Sequence, residues 1–184
     1  MGLMDDSQDK ISHQQTEGNN SSRTLGFLAL FLILLALWKD GSSQFEPGTA
    51  LNSAPLMELS SGKIVELSDL VEGEKPLAAH LFTTWCSVCM KEWSSLPELA
   101  RANEKDFRTI LIGVDSPEKL KALVQKRPIG IPIYVGGSEV ESSLRIHSYP
   151  YTVVLTSDMR VLHDHVGVLG TRIFQKALAN AETL

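Results

Sequence analysis

An α/β fold with a mixed central sheet is the architecture this chain predicts. Two apolar runs of strand length, 77–84 (LAAHLFTT) and 109–114 (TILIGV), are each followed by a helical pattern, which asks for strands buried on both faces. A late pair of segments, 151–156 and 160–166, flanks Ser157-Asp158 and reads as an antiparallel hairpin, so the sheet is mixed.

The order begins with a non-globular third. Residues 1–24 are rich in Ser, Asn and Gln and lack apolar periodicity, the composition of a disordered polar tail. Residues 25–38 (LGFLALFLILLALW) carry no charge and no polar face, so they want apolar contact all round. As a helix the run reaches about 21 Å, against about 30 Å of hydrocarbon, which leaves a cleaved signal h-region in competition with a membrane anchor. The preceding residues bear four acids beside Lys10 and Arg23, not a short basic n-region, and this favours a single uncleaved transmembrane anchor. Only Arg23 and Lys39 flank the run, so charge does not orient it. Residues 39–54, with Gly, Ser and Pro, read as a linker. A domain is expected over 55–184.

Within that domain, 56–59 and 63–67 surround Ser60-Ser61-Gly62 as a β-hairpin, and Ser68-Asp69-Leu70 makes a brief helical turn. After the first buried strand a helix is expected from Ser87 to about Glu104, with Pro97 as a kink. After the second, Ser116-Pro117-Glu118 supplies an N-cap with Pro at the first helical position, opening a helix over 117–126. A third strand is expected at 131–135, a short helix at 139–146, and a last helix from Gly170-Thr171 to about Glu182. No internal repeat occurs.

Seventeen basic against 22 acidic residues give a net charge of −5. Without a concentrated basic run, nucleic acid is excluded as a partner. The two cysteines, Cys86 and Cys89, are three positions apart and cannot staple distant elements, which leaves redox chemistry, metal or accident. Their placement is informative. Cys86 follows a buried strand and opens a helix, where unpaired N–H groups and the positive helix end favour a thiolate over a free thiol of pKa about 8.5. Cys89 lies one turn deeper, placed to attack a mixed disulfide formed on an exposed Cys86. His163 and His165 share a strand face and, with both cysteines and Met90, complete an inventory for zinc or copper. The simpler reading of the two histidines is a solvated strand face.

Several features coincide over roughly residues 55–182: a hairpin with a Gly-Lys turn, Trp85-Cys-x-x-Cys after a strand, Glu92 three residues past the second cysteine, Tyr149-Pro150 opening a strand, and Gly167 before the last helix. In these the chain resembles the thioredoxin-like fold, and within it the membrane-anchored TlpA/ResA/CcmG group of bacterial envelopes. The resemblance implies a thiol–disulfide oxidoreductase, a reductase of envelope proteins, with no cofactor beyond the Cys86–Cys89 disulfide. It implies that Pro150 is cis beside the cysteines, leaving the Tyr149 backbone to dock substrate, with Trp85 covering the disulfide. It places the His163–His165 hairpin at the sheet edge. It implies protein thiol or disulfide substrates, a membrane electron donor of the DsbD/CcdA type, and a domain on the periplasmic or extracytoplasmic side of the inner membrane.

Three positions depart from the pattern. The inner dipeptide is Ser87-Val88, with no basic group to stabilise the thiolate further. Ser94 stands where relatives carry Pro. His80 occupies the place of a buried acid in thioredoxins, where a titratable group could relay a proton. The plainer expectation for His80 is a core histidine satisfied by a backbone carbonyl, and for Glu92 an exposed helix residue that could tune the same transfer. An envelope metal-handling protein and a redox-inert interaction module on the same fold are the rival readings.

Overall fold

The computed structural model of the protein describes residues 43–184. The polar tail and the apolar run 25–38 lie outside the described residues. Among the described residues no helix is long and apolar enough to cross a membrane.

The chain enters through an antiparallel hairpin, β1 (Pro55–Glu58) and β2 (Ile64–Glu66), followed by the short α1 (Leu67–Val71). Then come β3 (Leu77–Phe82), α2 (Ser87–Glu92), α3 (Leu96–Ala102) and β4 (Arg108–Gly113). The rest is α4 (Pro117–Lys126), β5 (Ile133–Gly136), α5 (Ser138–Ser143), β6 (Tyr151–Leu155), β7 (Val161–Val166) and α6 (Thr171–Ala181). Among the described residues the strands form one seven-stranded sheet in the order β2-β1-β5-β4-β3-β6-β7. β3, β4 and β5 run parallel to one another, and β6, β7 and the first hairpin pair antiparallel, so the sheet is mixed as expected.

β3 is central, and all six of its residues are buried. Its alternation divides the core. Ala78 and Phe82 join Leu111, Val154, Leu120 and Phe174 on the face covered by α2, α3, α4 and α6. Leu77, Ala79 and Leu81 join Ile112, Tyr151, Val140 and Leu67 on the opposite face, under α1 and α5. Each such aliphatic or aromatic side chain contributes on the order of 1.5–3 kcal/mol by leaving water.

Two elements differ from expectation. The helix after Cys86 is not continuous to Glu104. α2 stops at Glu92, the chain turns through Trp93–Ser95, where the Ser95 amide and hydroxyl both bond the Glu92 carbonyl, and α3 starts at Leu96 with Pro97 in its first turn. Pro97 has no N–H to give and its ring would collide with the carbonyl four residues back, so it opens a new helix and does not kink an old one.

The segment before Pro55 is also not free. Asp164, wholly buried on β7, accepts hydrogen bonds from the Ser43 hydroxyl and from the amides of Gln44 (2.7 Å) and Phe45 (3.2 Å). Phe45 is 6% exposed, and Gly48 and Leu51 donate to the carbonyls of Val161 and Met159. Residues 43–54 are therefore part of the folded body, because a buried carboxylate needs donors and the leading segment brings three.

Candidate active site

The site forms where β3 gives way to α2. Phe82 ends the strand, and Thr84 is tied down by Asp115 just past the end of β4. One carboxylate oxygen accepts from the Thr84 amide (2.9 Å) and hydroxyl (2.6 Å), and the other takes Lys119 Nζ (3.2 Å). Burial works to raise the Asp115 carboxyl, but these bonds outweigh it and hold it below its ordinary value. The segment that carries Trp85 and Cys86 thus leaves from a fixed point.

Cys86 is the N-cap of α2, and its sulfur accepts from the amide of Cys89 at 3.1 Å. The two cysteines are joined in a disulfide, with Cα atoms 5.3 Å apart. Cys86 is 7% exposed and Cys89 1%. The order of exposure is the expected one, but Cys86 is far less open than a free nucleophile, since it belongs to the buried cluster against which Tyr149 packs.

The peptide bond between Tyr149 and Pro150 is cis, as the resemblance implied. Pro150 is buried, and its carbonyl accepts from Gly167 at 2.8 Å, at a φ of 128° that favours glycine. Trp85, expected over the disulfide, is 71% exposed, with its ring edge-on to Tyr149 at 6.1 Å between centroids. Beneath the cysteines, Trp93 packs edge-on to Phe82 and donates its indole N–H to the Arg127 carbonyl.

His80 and Glu92 both differ from their plainer expectations. His80 is held by two side chains and not by a backbone carbonyl: Nδ1 lies 2.9 Å from Oγ1 of Thr152, its register partner on β6, and Nε2 lies 3.0 Å from Oε1 of Glu92. Glu92 is not an exposed helix residue. It is 6% exposed, because it points inward from the last residue of α2, and its second oxygen accepts from the Leu169 amide at 3.0 Å. One carboxylate thus links β3, α2 and the loop before α6. His80 shares its face of β3 with Ala78 and Phe82, the face on which Cys89 is packed.

His163 and His165 lie on the edge strand β7, with β6 between them and β3. Among the described residues no group of three or more His, Cys, Asp or Glu side chains is arranged to hold a metal ion. Sequence reasoning missed three residues that shape the site: Asp115, Glu141, which takes the Tyr149 hydroxyl at 2.7 Å, and Asp164, which takes that of Tyr151 at 3.1 Å. Only Asp115 left a signal, as the first polar residues after a buried strand sit at the carboxyl edge of a parallel sheet where sites form.

The chain is 27% identical to the thiol:disulfide interchange protein DsbE of Tatumella citrea over 165 residues, covering 80% of this chain and 86% of that one. It is 25% identical to DsbE of Yersinia pestis over 169 residues, 82% and 87% of the two chains. Among solved structures it superposes on the exposed lipoprotein thioredoxin Etrx1 of Streptococcus pneumoniae with a TM-score of 0.58 at 19% identity, over 70% of this chain and 98% of that one. On a DsbF homologue of Corynebacterium diphtheriae the TM-score is 0.58 at 18% identity, over 79% and 92%. The fold is therefore thioredoxin-like. Residues 50–163, more than half of the chain, match the AhpC/TSA family, and to that family the chain belongs.

Proposed function

We propose that this protein is a thiol–disulfide oxidoreductase that reduces disulfides in other proteins. One observation carries the reading: a Cys86–Cys89 disulfide capping a helix beside the cis Tyr149-Pro150 bond. The relatives' description as thiol:disulfide interchange proteins supports it.

In the reduced protein the Cys86 thiolate attacks a substrate disulfide, forming a mixed disulfide and expelling the substrate's other sulfur as a thiolate. Cys89 then gives up its proton and attacks Cys86 Sγ. The second substrate thiol leaves, and the Cys86–Cys89 bond closes, with two electrons passed to substrate. The Cys89 amide, already 3.1 Å from Cys86 Sγ, is the donor that stabilises charge there. The two sulfurs hold the electrons, so no further cofactor enters.

The substrate docks against Trp85 and the Tyr149-Pro150 backbone. His80 and Glu92, a buried pair on the Cys89 side of the sheet, relay the proton that the resolving thiol must lose. Residues 25–38 anchor the chain in the inner membrane with the domain on the periplasmic side, where an anchored dithiol is useful. A membrane donor of the DsbD/CcdA type re-reduces it, and an acidic surface leaves nucleic acid aside.

Insulin-disulfide reduction tests the reading. Turnover by the wild type, its loss in Cys86→Ser, and a mixed disulfide trapped by Cys89→Ser and seen by mass spectrometry are expected; wild-type inactivity sinks it. A Cys86–Cys89 potential near −270 mV or lower marks a reductant, and one near about −120 mV an oxidant.

A further inference from the structure

Glu141 lies on α5, among the elements that cover the face of the sheet opposite α2, yet it reaches the redox site through one side chain. Its Oε1 accepts the Tyr149 hydroxyl proton at 2.7 Å. Burial first, and then this bond, raise the Tyr149 hydroxyl above its ordinary value, so it remains a donor throughout the neutral range. The same phenol ring, which also packs on both core clusters, meets edge-on the 71% exposed indole of Trp85 with planes at 89°. A phenol pinned at its hydroxyl end cannot swing, and an aromatic neighbour of defined orientation is what keeps an exposed indole upright.

The indole does not stand alone. Val88, between the two cysteines, is 43% exposed, and Val168 is 52% exposed. Val168 is held close because its neighbours are tied to the site, Gly167 to the Pro150 carbonyl and Leu169 to Glu92. Trp85 and Val88 thus flank Cys86 along the chain and Val168 lies between residues bonded to Pro150 and Glu92, so exposed apolar side chains adjoin a nearly buried pair of sulfurs, and a partner whose sulfur reaches Cys86 brings its adjoining residue to them.

We infer that Glu141 is a positioning residue which, through Tyr149, holds Trp85 as the wall of an apolar seat for a bulky side chain next to the target cysteine of a protein substrate. The inference rests on the oxidoreductase reading and adds its substrate class. Glu141 makes and breaks no covalent bond; the sulfur chemistry is unchanged and the effect falls on substrate affinity.

Two disulfide-linked peptides, identical except for Phe or Ser beside the target cysteine, test this with the full chain. Wild type turns over the Phe peptide with a kcat/KM roughly three- to tenfold above the Ser peptide, the scale of one oriented aromatic contact. Glu141→Ala raises KM for the Phe peptide by most of that factor and leaves the Ser peptide's KM in place, Tyr149→Phe abolishes the Phe-over-Ser preference whatever it does to the rate on either peptide, and the double variant shows no smaller preference than either single one. Glu141→Gln, which keeps an acceptor oxygen, restores the preference. If Glu141→Ala does not fold, the Phe-over-Ser ratio of Tyr149→Phe carries the test. Equal rates for the two peptides in wild type, an unchanged Phe-over-Ser preference in the variants, or, in Glu141→Ala, a KM rise shared by both peptides overturns the inference while the redox reading stands. A wild type that reduces neither peptide overturns both.

Discussion

His80 and Glu92 meet ring nitrogen to carboxylate at 3.0 Å, with side chains 1% and 3% exposed. Thr152 completes the arrangement: its hydroxyl donates to a neutral imidazole and accepts from a charged one, so both protonation states of the ring are hydrogen-bonded. A buried pair of this kind is costly to break from one side, since the partner left behind has neither water nor a counter-charge.

Glu92→Ala is therefore expected to lower unfolding stability by about 3–5 kcal/mol, orphaning both Nε2 of His80 and the Leu169 amide. Glu92→Gln keeps acceptor oxygen and loses less. Urea denaturation of the three proteins ranks them. His80→Asn probes the relay: its reduction rate should depart from the wild-type pH profile, and two superimposable profiles would dispose of His80 as a proton carrier.

Asp115 gives a pH dependence with a definite sign. Its carboxyl titrates lower in the folded protein than its ordinary value of about 3.9, so the folded state binds fewer protons than the unfolded chain. The stabilisation is complete above the unfolded value and is lost as pH falls through the folded one. Asp115→Asn should cost about 1–2 kcal/mol at neutral pH by weakening the two Thr84 bonds. Below about pH 4 the gap between variant and wild type should narrow; a gap constant from pH 7 to pH 3 contradicts the assignment.

Gly113, the last residue of β4, has no room for a side chain. A Cβ there would lie 2.5 and 2.7 Å from the methyl carbons of Leu120, itself wholly buried on α4. Gly113→Ala is expected to destabilise by about 1–3 kcal/mol through overpacking. Thermal melts of Gly113→Ala, Leu120→Ala and the double variant check this, because relief of the clash makes the two losses less than additive.

The strands and α4 were legible because their signals are local. LAAHLFTT and TILIGV are apolar at nearly every position a doubly covered strand requires, His80 being the exception in β3, and Ser116-Pro117 marks a helix start within three residues. The cysteine pair was legible for the same reason, with strand, thiol and helix in one stretch of sequence. What stayed hidden depends on contacts between distant positions. Glu92 looks exposed on a continuous helix; it is buried because α2 ends there and because the Leu169 amide, 77 positions away, comes to meet it. Residues 39–54 have the composition of a linker, and nothing within them announces that Asp164 will bind Ser43 from 121 positions downstream. The Glu141–Tyr149 bond is only eight positions long, yet its meaning lies in Trp85, which tertiary folding alone brings alongside.

The clamp of Ser43, Gln44 and Phe45 on Asp164 holds the leading segment 43–54 against the sheet. Hanging free from Pro55, the dozen residues 43–54 would span up to about 40 Å when stretched. Seated on β7 they add no slack. Any attachment made ahead of residue 43 therefore gains no reach for the disulfide from these twelve positions.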